Sequence, residues 1–138
     1  MKINGLKLPA ELEIDLVSGG RKLSSNEIDR LKSILNKIEN PLPRLFSHEQ
    51  IIKENELWES ESAKYYFGKK GSKVFPGDID PEKVLIIGSA EPDSPIVLDY
   101  RSKDVSVAYL GDLEYESYWI EIASSYRELI EKLTGRVK

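Results

Sequence analysis

Val84-Leu85-Ile86-Ile87-Gly88 is the stretch that decides the fold, because its four apolar residues stand in a row and end at a glycine. A short continuous apolar run of this kind is typical of a strand that is covered on both faces. Three more strand-like runs follow, at residues 96–99, 105–110 and 118–122. Parallel strands need connections of about a dozen residues or more, and these gaps are much shorter. The four runs are therefore predicted to form an antiparallel meander.

Two helical patterns lie near the start of the chain. Pro9 and the pair Gly19-Gly20 bound a short helix over 9–18, since proline suits a first helical position and glycine a C-terminal cap. Ser24 and Glu27 then have the spacing of a capping box. The apolar residues that follow recur every three or four positions, which predicts a second helix; they are Ile28, Leu31, Ile34, Leu35 and Ile38.

Two more helices are predicted, one on each side of the meander along the chain. The first begins near Ser47, and the last spans 125–134 with Ser125 as its cap and Glu128 at the capping-box position. The resulting fold class is α+β, in which N-terminal helices and a C-terminal helix pack on an antiparallel meander sheet of four or more strands. No linker or repeat interrupts the chain, so we expect a single domain over 1–138.

Composition excludes several classes of protein. The 138 residues contain no cysteine, which rules out a disulfide scaffold and a thiolate zinc site. No apolar run reaches the roughly 20 residues of a membrane span, and the N-terminus lacks the apolar core of a secretion signal. The net charge of −4 disfavours a general role in nucleic-acid binding. We expect a cytoplasmic monomer or weak dimer with no cofactor and no nucleic-acid or membrane partner.

No group of residues in the chain has the pattern of a catalytic or metal site. His48 is the one histidine, and its place beside Ser47 at a predicted helix start indicates a surface residue rather than a catalytic base. Asp78, Asp80 and Glu82 lack the bidentate glutamate of a calcium loop, so a solvated turn is the simpler interpretation. We therefore expect no catalytic residue, no bound metal and no enzymatic activity.

A basic segment with aromatic residues lies in the middle of the chain. Residues 62–83 are rich in glycine and proline and are predicted to be irregular or a hairpin. The run at 68–73 holds glycines and lysines without the spacing of a phosphate-binding loop. Aromatic and lysine side chains together can bind single-stranded nucleic acid, but a solvated hairpin is the simpler interpretation in an acidic chain.

Acidic residues provide a better candidate for a binding surface. No lysine or arginine occurs from residue 105 to 126, and the predicted loop over 111–116 is strongly acidic. We expect this loop to contact a basic protein partner, with tyrosines as anchors and with help from a second glutamate cluster. Charge that only keeps the protein soluble remains the alternative. The candidate residues are Asp112, Glu114, Tyr115, Glu116, Tyr118, Glu54, Glu56 and Glu59.

Four motifs in the C-terminal half resemble a known family by their order and spacing. They are VLIIG at 84–88, SPIVLDYR at 94–101, SVAYL at 106–110 and WIEIASSY at 119–126. Together they resemble the SUKH superfamily, which includes fungal cell-wall synthesis regulators of the Smi/Knr type and many bacterial proteins. The resemblance covers residues 6–133, and Tyr126 stands where the family commonly has phenylalanine.

The resemblance implies a non-enzymatic binding domain. Bacterial members are often immunity proteins that neutralise a toxin domain, frequently a nuclease, of a polymorphic toxin system. The family's recurring positions, here Gly88, Asp99 and Trp119, imply structural roles, with Asp99 capping a turn and Trp119 filling the core. We therefore expect an immunity protein. The alternative is a general interaction or regulatory domain of the Smi/Knr type, and a small hydrolase with an acidic pocket ranks below both.

Overall fold

A computed structural model of the chain describes residues 2–57, 81–91, 94–101, 103–113 and 116–135. Four α-helices, one short 3₁₀ helix and seven strands lie within these residues. In chain order they are β1 (Lys2–Ile3), β2 (Leu6–Lys7), α1 (Ala10–Val17), α2 (Ser25–Ile34), β3 (Arg44–Leu45), α3 (His48–Leu57), the 3₁₀ helix (Pro81–Lys83), β4 (Val84–Glu91), β5 (Ser94–Asp99), β6 (Ser106–Leu113), β7 (Glu116–Ala123) and α4 (Tyr126–Thr134).

The main sheet is antiparallel throughout its described strands, which stand in the order β3-β4-β5-β6-β7. The predicted meander is therefore confirmed from β4 to β7. The sequence interpretation missed β3 and the small β1–β2 hairpin, since each of these strands has only two residues and no periodicity can show in so short a run. Helices precede and follow the sheet, so the α+β class is confirmed.

The hydrophobic core lies between the sheet and the helices. Ile96, Tyr109 and Ile120 are register partners across three strands and therefore share one face of the sheet. The Tyr109 hydroxyl accepts a hydrogen bond of 3.0 Å from the backbone N–H of Lys37, which places this face against the segment after α2. Helix α4 packs on α2 and on β7, and its inner side chains are buried: Tyr126, Leu129 and Leu133.

Two helix starts follow the predicted capping pattern. The Ser24 hydroxyl accepts from the Glu27 N–H at 3.2 Å, and the Glu27 carboxylate accepts from the Ser24 N–H at 2.8 Å, which completes the capping box of α2. The Ser125 hydroxyl accepts from the Glu128 N–H at 3.0 Å at the start of α4. Hydrogen bonds from Ser24 lower the pKa of the Glu27 carboxyl. These caps fix both helix starts within one residue of the prediction.

Helix α2 ends earlier than its apolar pattern predicts. The helix stops at Ile34 and Leu35 serves as its C-cap, although the apolar stripe continues to Ile38. Leu35 and Ile38 are nevertheless buried in the core. Three of the five predicted apolar residues are therefore buried, and Ile28 and Ile34 are partly buried. Periodicity placed the end of the helix too late, because the chain turns while it stays against the core.

The prediction that the acidic residues 111–116 form a loop is wrong. Strand β6 continues to Leu113 and β7 begins at Glu116, and these two residues are register partners. The turn-favouring composition of the segment is overridden by pairing between the two strands, which continues until only residues 114 and 115 separate them. The predictions for residues 62–80 lie outside the described residues.

The β3 side of the sheet is closed by a side chain rather than by a longer strand. Beyond β3, the Phe46 N–H donates to the Ile87 carbonyl at 2.9 Å. The Asn55 side chain then takes the next position, since its Nδ2 donates to the Ile86 carbonyl and its Oδ1 accepts from the Ile86 N–H, both at 2.9 Å. Nδ2 also donates to the Ile51 carbonyl at 2.7 Å. Asn55 is 1% exposed, so its amide satisfies the edge of β4 out of contact with water.

Candidate functional site

Strands β6 and β7 form a two-stranded acidic ribbon that extends past the last pairing of β6 with β5. The pairing of β5 with β6 ends at Ile96 and Tyr109. Strands β6 and β7 stay paired for four more rows, from Leu110 opposite Trp119 to Leu113 opposite Glu116. We call residues 110–119 the acidic ribbon. In these rows β6 pairs with β7 and no longer with β5, while β5 continues to Ser94 toward the same end of the sheet, paired with β4.

Three of the predicted contact residues, Asp112, Glu116 and Tyr118, fall in the paired strands of the acidic ribbon. Asp112 lies opposite Ser117, and Glu116 opposite Leu113, while Tyr118 lies opposite Gly111. Glu114 and Tyr115 lie outside the described residues. The absence of lysine and arginine from 105 to 126 leaves the acidic charge of this segment uncompensated along the chain. The ribbon therefore carries negative charge on a narrow hairpin.

The second glutamate cluster lies elsewhere on the molecule. Glu54 and Glu56 belong to α3, which packs against β4, and Glu59 lies outside the described residues. Three strand spacings, roughly 14 Å, separate β4 from β7. Glu54 and Glu56 border a separate open groove of about 540 Å³ on the outer side of α3, together with Glu49, Ile52 and Lys53. Where both acidic clusters are described, at Glu54 and Glu56 and at Asp112 and Glu116, the structure does not bring them together.

The three residues expected to be structural have clear positions in the fold. Gly88 is buried where β4 pairs with β3, opposite Leu45, and a Cβ atom there would overlap the Arg44 carbonyl oxygen. The Asp99 carboxylate accepts from the backbone N–H of Arg101 at 3.0 Å and forms an ion pair of 2.8 Å with the Arg101 guanidinium. Asp99 thus orders the turn after β5. Trp119 is partly buried and packs against the core.

A groove of about 700 Å³ separates the β1–β2 hairpin from the connection between β7 and α4. Its floor is apolar and its rim carries mixed charge; the lining includes Leu6, Lys7, Tyr100, Lys103, Val105 and Arg127. The Tyr100 hydroxyl donates to the Lys7 carbonyl at 2.8 Å, and burial raises the pKa of Tyr100 to about 12. The sequence interpretation missed this groove, because its walls come from segments 93 residues apart that share no local pattern.

A hydrogen-bonded group lies behind one wall of this groove. The Tyr126 hydroxyl donates to Asp15 Oδ2 at 2.8 Å, and the Arg21 Nε donates to the same oxygen at 2.9 Å. The bond to Asp15 raises the pKa of Arg21, while burial, followed by the hydrogen bond to Asp15, raises the pKa of Tyr126. The tyrosine therefore stays protonated at neutral pH and acts as a donor that ties α4 to α1.

In the described part of the chain, no three residues among histidine, aspartate and glutamate gather as a metal site. His48 is the first residue of α3 and is partly buried, and Glu82 lies in the 3₁₀ helix, while Asp78 and Asp80 lie outside the described residues. None of the described helices has the length and apolarity needed to cross a bilayer.

Comparison of the chain with protein-family models, with curated proteins and with solved structures finds no match. The functional conclusion therefore depends on the geometry and charge of the chain's own residues.

Proposed function

We propose that this chain is a non-enzymatic, cytoplasmic binding protein of the SUKH-like immunity type, which neutralises a basic toxin domain by direct contact through the acidic ribbon. The observation that carries the proposal is the acidic ribbon itself. Its backbone extends four paired rows past the last pairing with β5, in a segment whose charged residues are all acidic.

The charge of the ribbon suits a nuclease partner. A nuclease holds its substrate in a positively charged cleft, since it must bind phosphates. A narrow hairpin that carries carboxylates can enter such a cleft, and complementary charge speeds the encounter between two proteins. Tyrosines beside the carboxylates add apolar contact area with a polar tip, as binding hot spots commonly do. The sequence places Tyr115 and Tyr118 there.

The proposal is tested by association kinetics with the toxin-like protein encoded beside this chain's gene. Changing Asp112, Glu114 and Glu116 to lysine should slow association at least tenfold at low salt, because a favourable surface charge becomes repulsive. The matched control changes Asp29, Glu39 and Asp104 to lysine, which alters the net charge equally at exposed positions outside both acidic clusters. This control should retain most of the association rate.

Three outcomes would contradict the proposal. Equal slowing by both variants would indicate a general charge effect, and an unchanged rate for the ribbon variant would place the contact elsewhere. Binding that leaves the toxin fully active would indicate an interaction or regulatory domain instead of an immunity protein. Circular dichroism and urea unfolding of each variant establish that the charge changes leave the fold intact.

A further inference from the structure

The two edges of the main sheet end in different ways. On the β3 side, the two-residue strand β3 and the Asn55 amide occupy the hydrogen-bonding groups of β4. On the other side, β7 is eight residues long and has no neighbouring strand beyond it among the described residues. One side chain reaches its C-terminal end, where Lys132 Nζ donates to the Ile122 carbonyl at 2.7 Å. Among the described strands, β7 is therefore the long edge of the sheet that no further strand pairs with.

Two of the devices by which sheets usually protect an edge are missing from the sequence of β7. Natural edge strands are commonly short, interrupted by proline or marked by lysine, because an open row of N–H and C=O groups invites another strand. The sequence of β7, ESYWIEIA, contains neither proline nor lysine. Its bulge lies at Ile122, near the end that Lys132 already covers. The charged residues of the strand are Glu116 and Glu121, and Glu121 is exposed.

We infer that β7 accepts an extended, basic segment of the partner protein as an added strand. This inference rests on the function proposed above and names the structural element that the partner would supply. Main-chain hydrogen bonds to an edge strand provide affinity, while side chains at alternate positions provide specificity. Lysine or arginine opposite Glu121 would form the favourable cross-strand pair. The added strand ends before Ile122, because the carbonyl there already accepts from Lys132.

Charge favours a basic segment over a second copy of this chain. Two β7 strands side by side would bring Glu116 and Glu121 of each copy into one ladder, and like charges in neighbouring strands are destabilising. The negative charge of the adjoining acidic ribbon adds to this repulsion. A basic strand beside β7 would instead bring positive charge to these glutamate positions, and the attraction would stabilise the pairing.

The test uses two synthetic peptides as probes, both matched to β7 in length and equal in charge. One alternates lysine with valine, and the other alternates lysine with proline, which cannot donate main-chain hydrogen bonds at half of its positions. We expect the valine peptide to bind at least tenfold more tightly and to slow hydrogen exchange of β7 amides between residues 116 and 121. The Glu121→Lys variant should lose at least fivefold in affinity for the valine peptide, whereas Glu39→Lys, at an exposed site before β3, should not.

Equal binding of both peptides, or protection that appears on β4 instead of β7, would overturn the inference. Protection of β7 that grows with protein concentration alone would overturn it as well, since the occupant would then be a second copy. The function proposed above fails by a different result, namely an unchanged association rate for the ribbon variant. A toxin complex that depends on the acidic ribbon but leaves β7 amides unprotected would refute the added strand and leave the proposed function standing.

Discussion

The Tyr126 hydroxyl donates a hydrogen bond of 2.8 Å to Asp15 Oδ2, across 111 residues of sequence. Tyr126 is the first residue of α4, and Asp15 lies near the end of α1, so the bond connects the first and the last of the described α-helices. Arg21 binds the same carboxylate and extends the connection to the segment before α2. A buried hydroxyl paired with a carboxylate is costly to remove, because the acceptor loses a partner that water cannot fully replace.

Tyr126→Phe tests this connection. The variant keeps the ring, which is 2% exposed, and removes only the hydroxyl. We expect a loss of about 1–2 kcal/mol in the free energy of unfolding, measured in urea, since the bond is made to a charged acceptor that retains Arg21. Tyr100→Phe is the matched control, because its hydroxyl bonds a neutral backbone carbonyl, and it should cost about 0.5–1 kcal/mol. An equal loss of unfolding free energy in both variants would show that the bond to the Asp15 carboxylate stabilises the fold no more than a bond to a neutral carbonyl does.

The same two tyrosines predict how stability changes at alkaline pH. Burial raises the pKa of Tyr100 from 10.0 to about 12, and the pKa of Tyr126 also rises. Above pH 10 the unfolded chain releases protons that the folded chain keeps, so the stability from these groups is complete below pH 10 and is lost as the pH rises toward 12 and beyond.

Urea unfolding between pH 9 and pH 12 measures this loss. The double variant with phenylalanine at Tyr100 and Tyr126 should show a shallower decline of stability than the original chain over the same interval, because two groups with raised pKa values are gone. Parallel declines in the two proteins would mean that neither tyrosine titrates differently in the folded and unfolded states. Lysines also titrate in this interval, but they are common to both proteins and cancel in the comparison.

Local patterns predicted the parts of the fold that local forces decide. The apolar run at 84–87 and the cap at Ser24 each depend on neighbours in sequence, and both predictions agree with the structure. Long-range packing decided the rest. Gly111 and Asp112 have the composition of a turn, yet cross-strand pairing with β7 keeps them in a strand. Asn55 carries no signal in the sequence at all, because its role depends on a strand edge 31 residues away.

The candidate site was predictable in part for the same reason. The acidic charge of Asp112 and Glu116 could be read directly from the sequence, and they do lie on one hairpin. Their separation from Glu54 and Glu56 depends on the order of strands in the sheet, which places α3 beside β4. The groove beside Tyr100 depends on the position of the β1–β2 hairpin, whose strands are too short to predict.

Two glycines of the sheet should respond differently to the same substitution. A Cβ atom at Gly88 would overlap the backbone carbonyl of Arg44, which cannot move without displacing β3. A Cβ atom at Gly111 would come within 2.6 Å of Ile120 Cδ1 and 3.1 Å of Lys37 Cβ, so side-chain atoms rather than a carbonyl oxygen are the closest there. We expect Gly88→Ala to cost about 3 kcal/mol and Gly111→Ala about 1 kcal/mol in urea unfolding. A larger loss at Gly111 than at Gly88 would contradict the close approach of β3 to β4.

Asn55→Leu should be the most destabilising single change among those considered at the β3 edge. Leucine keeps the same branched arrangement of heavy atoms, but it leaves the N–H and C=O of Ile86 and the carbonyl of Ile51 without the amide. These groups lie around a side chain that is 1% exposed, and each unsatisfied buried group costs about 1–3 kcal/mol, so we expect a loss of about 3–5 kcal/mol. Lys53→Leu, at an exposed position of the same helix, should change stability by less than about 0.5 kcal/mol.

Hydrogen exchange adds a local measurement, because the Ile86 amide should exchange much faster in Asn55→Leu, whereas the Leu85 amide, in the rows paired with β5, should keep most of its protection relative to Ile86. Retained protection at Ile86, together with a loss below about 1 kcal/mol, would mean that β4 does not depend on the Asn55 amide.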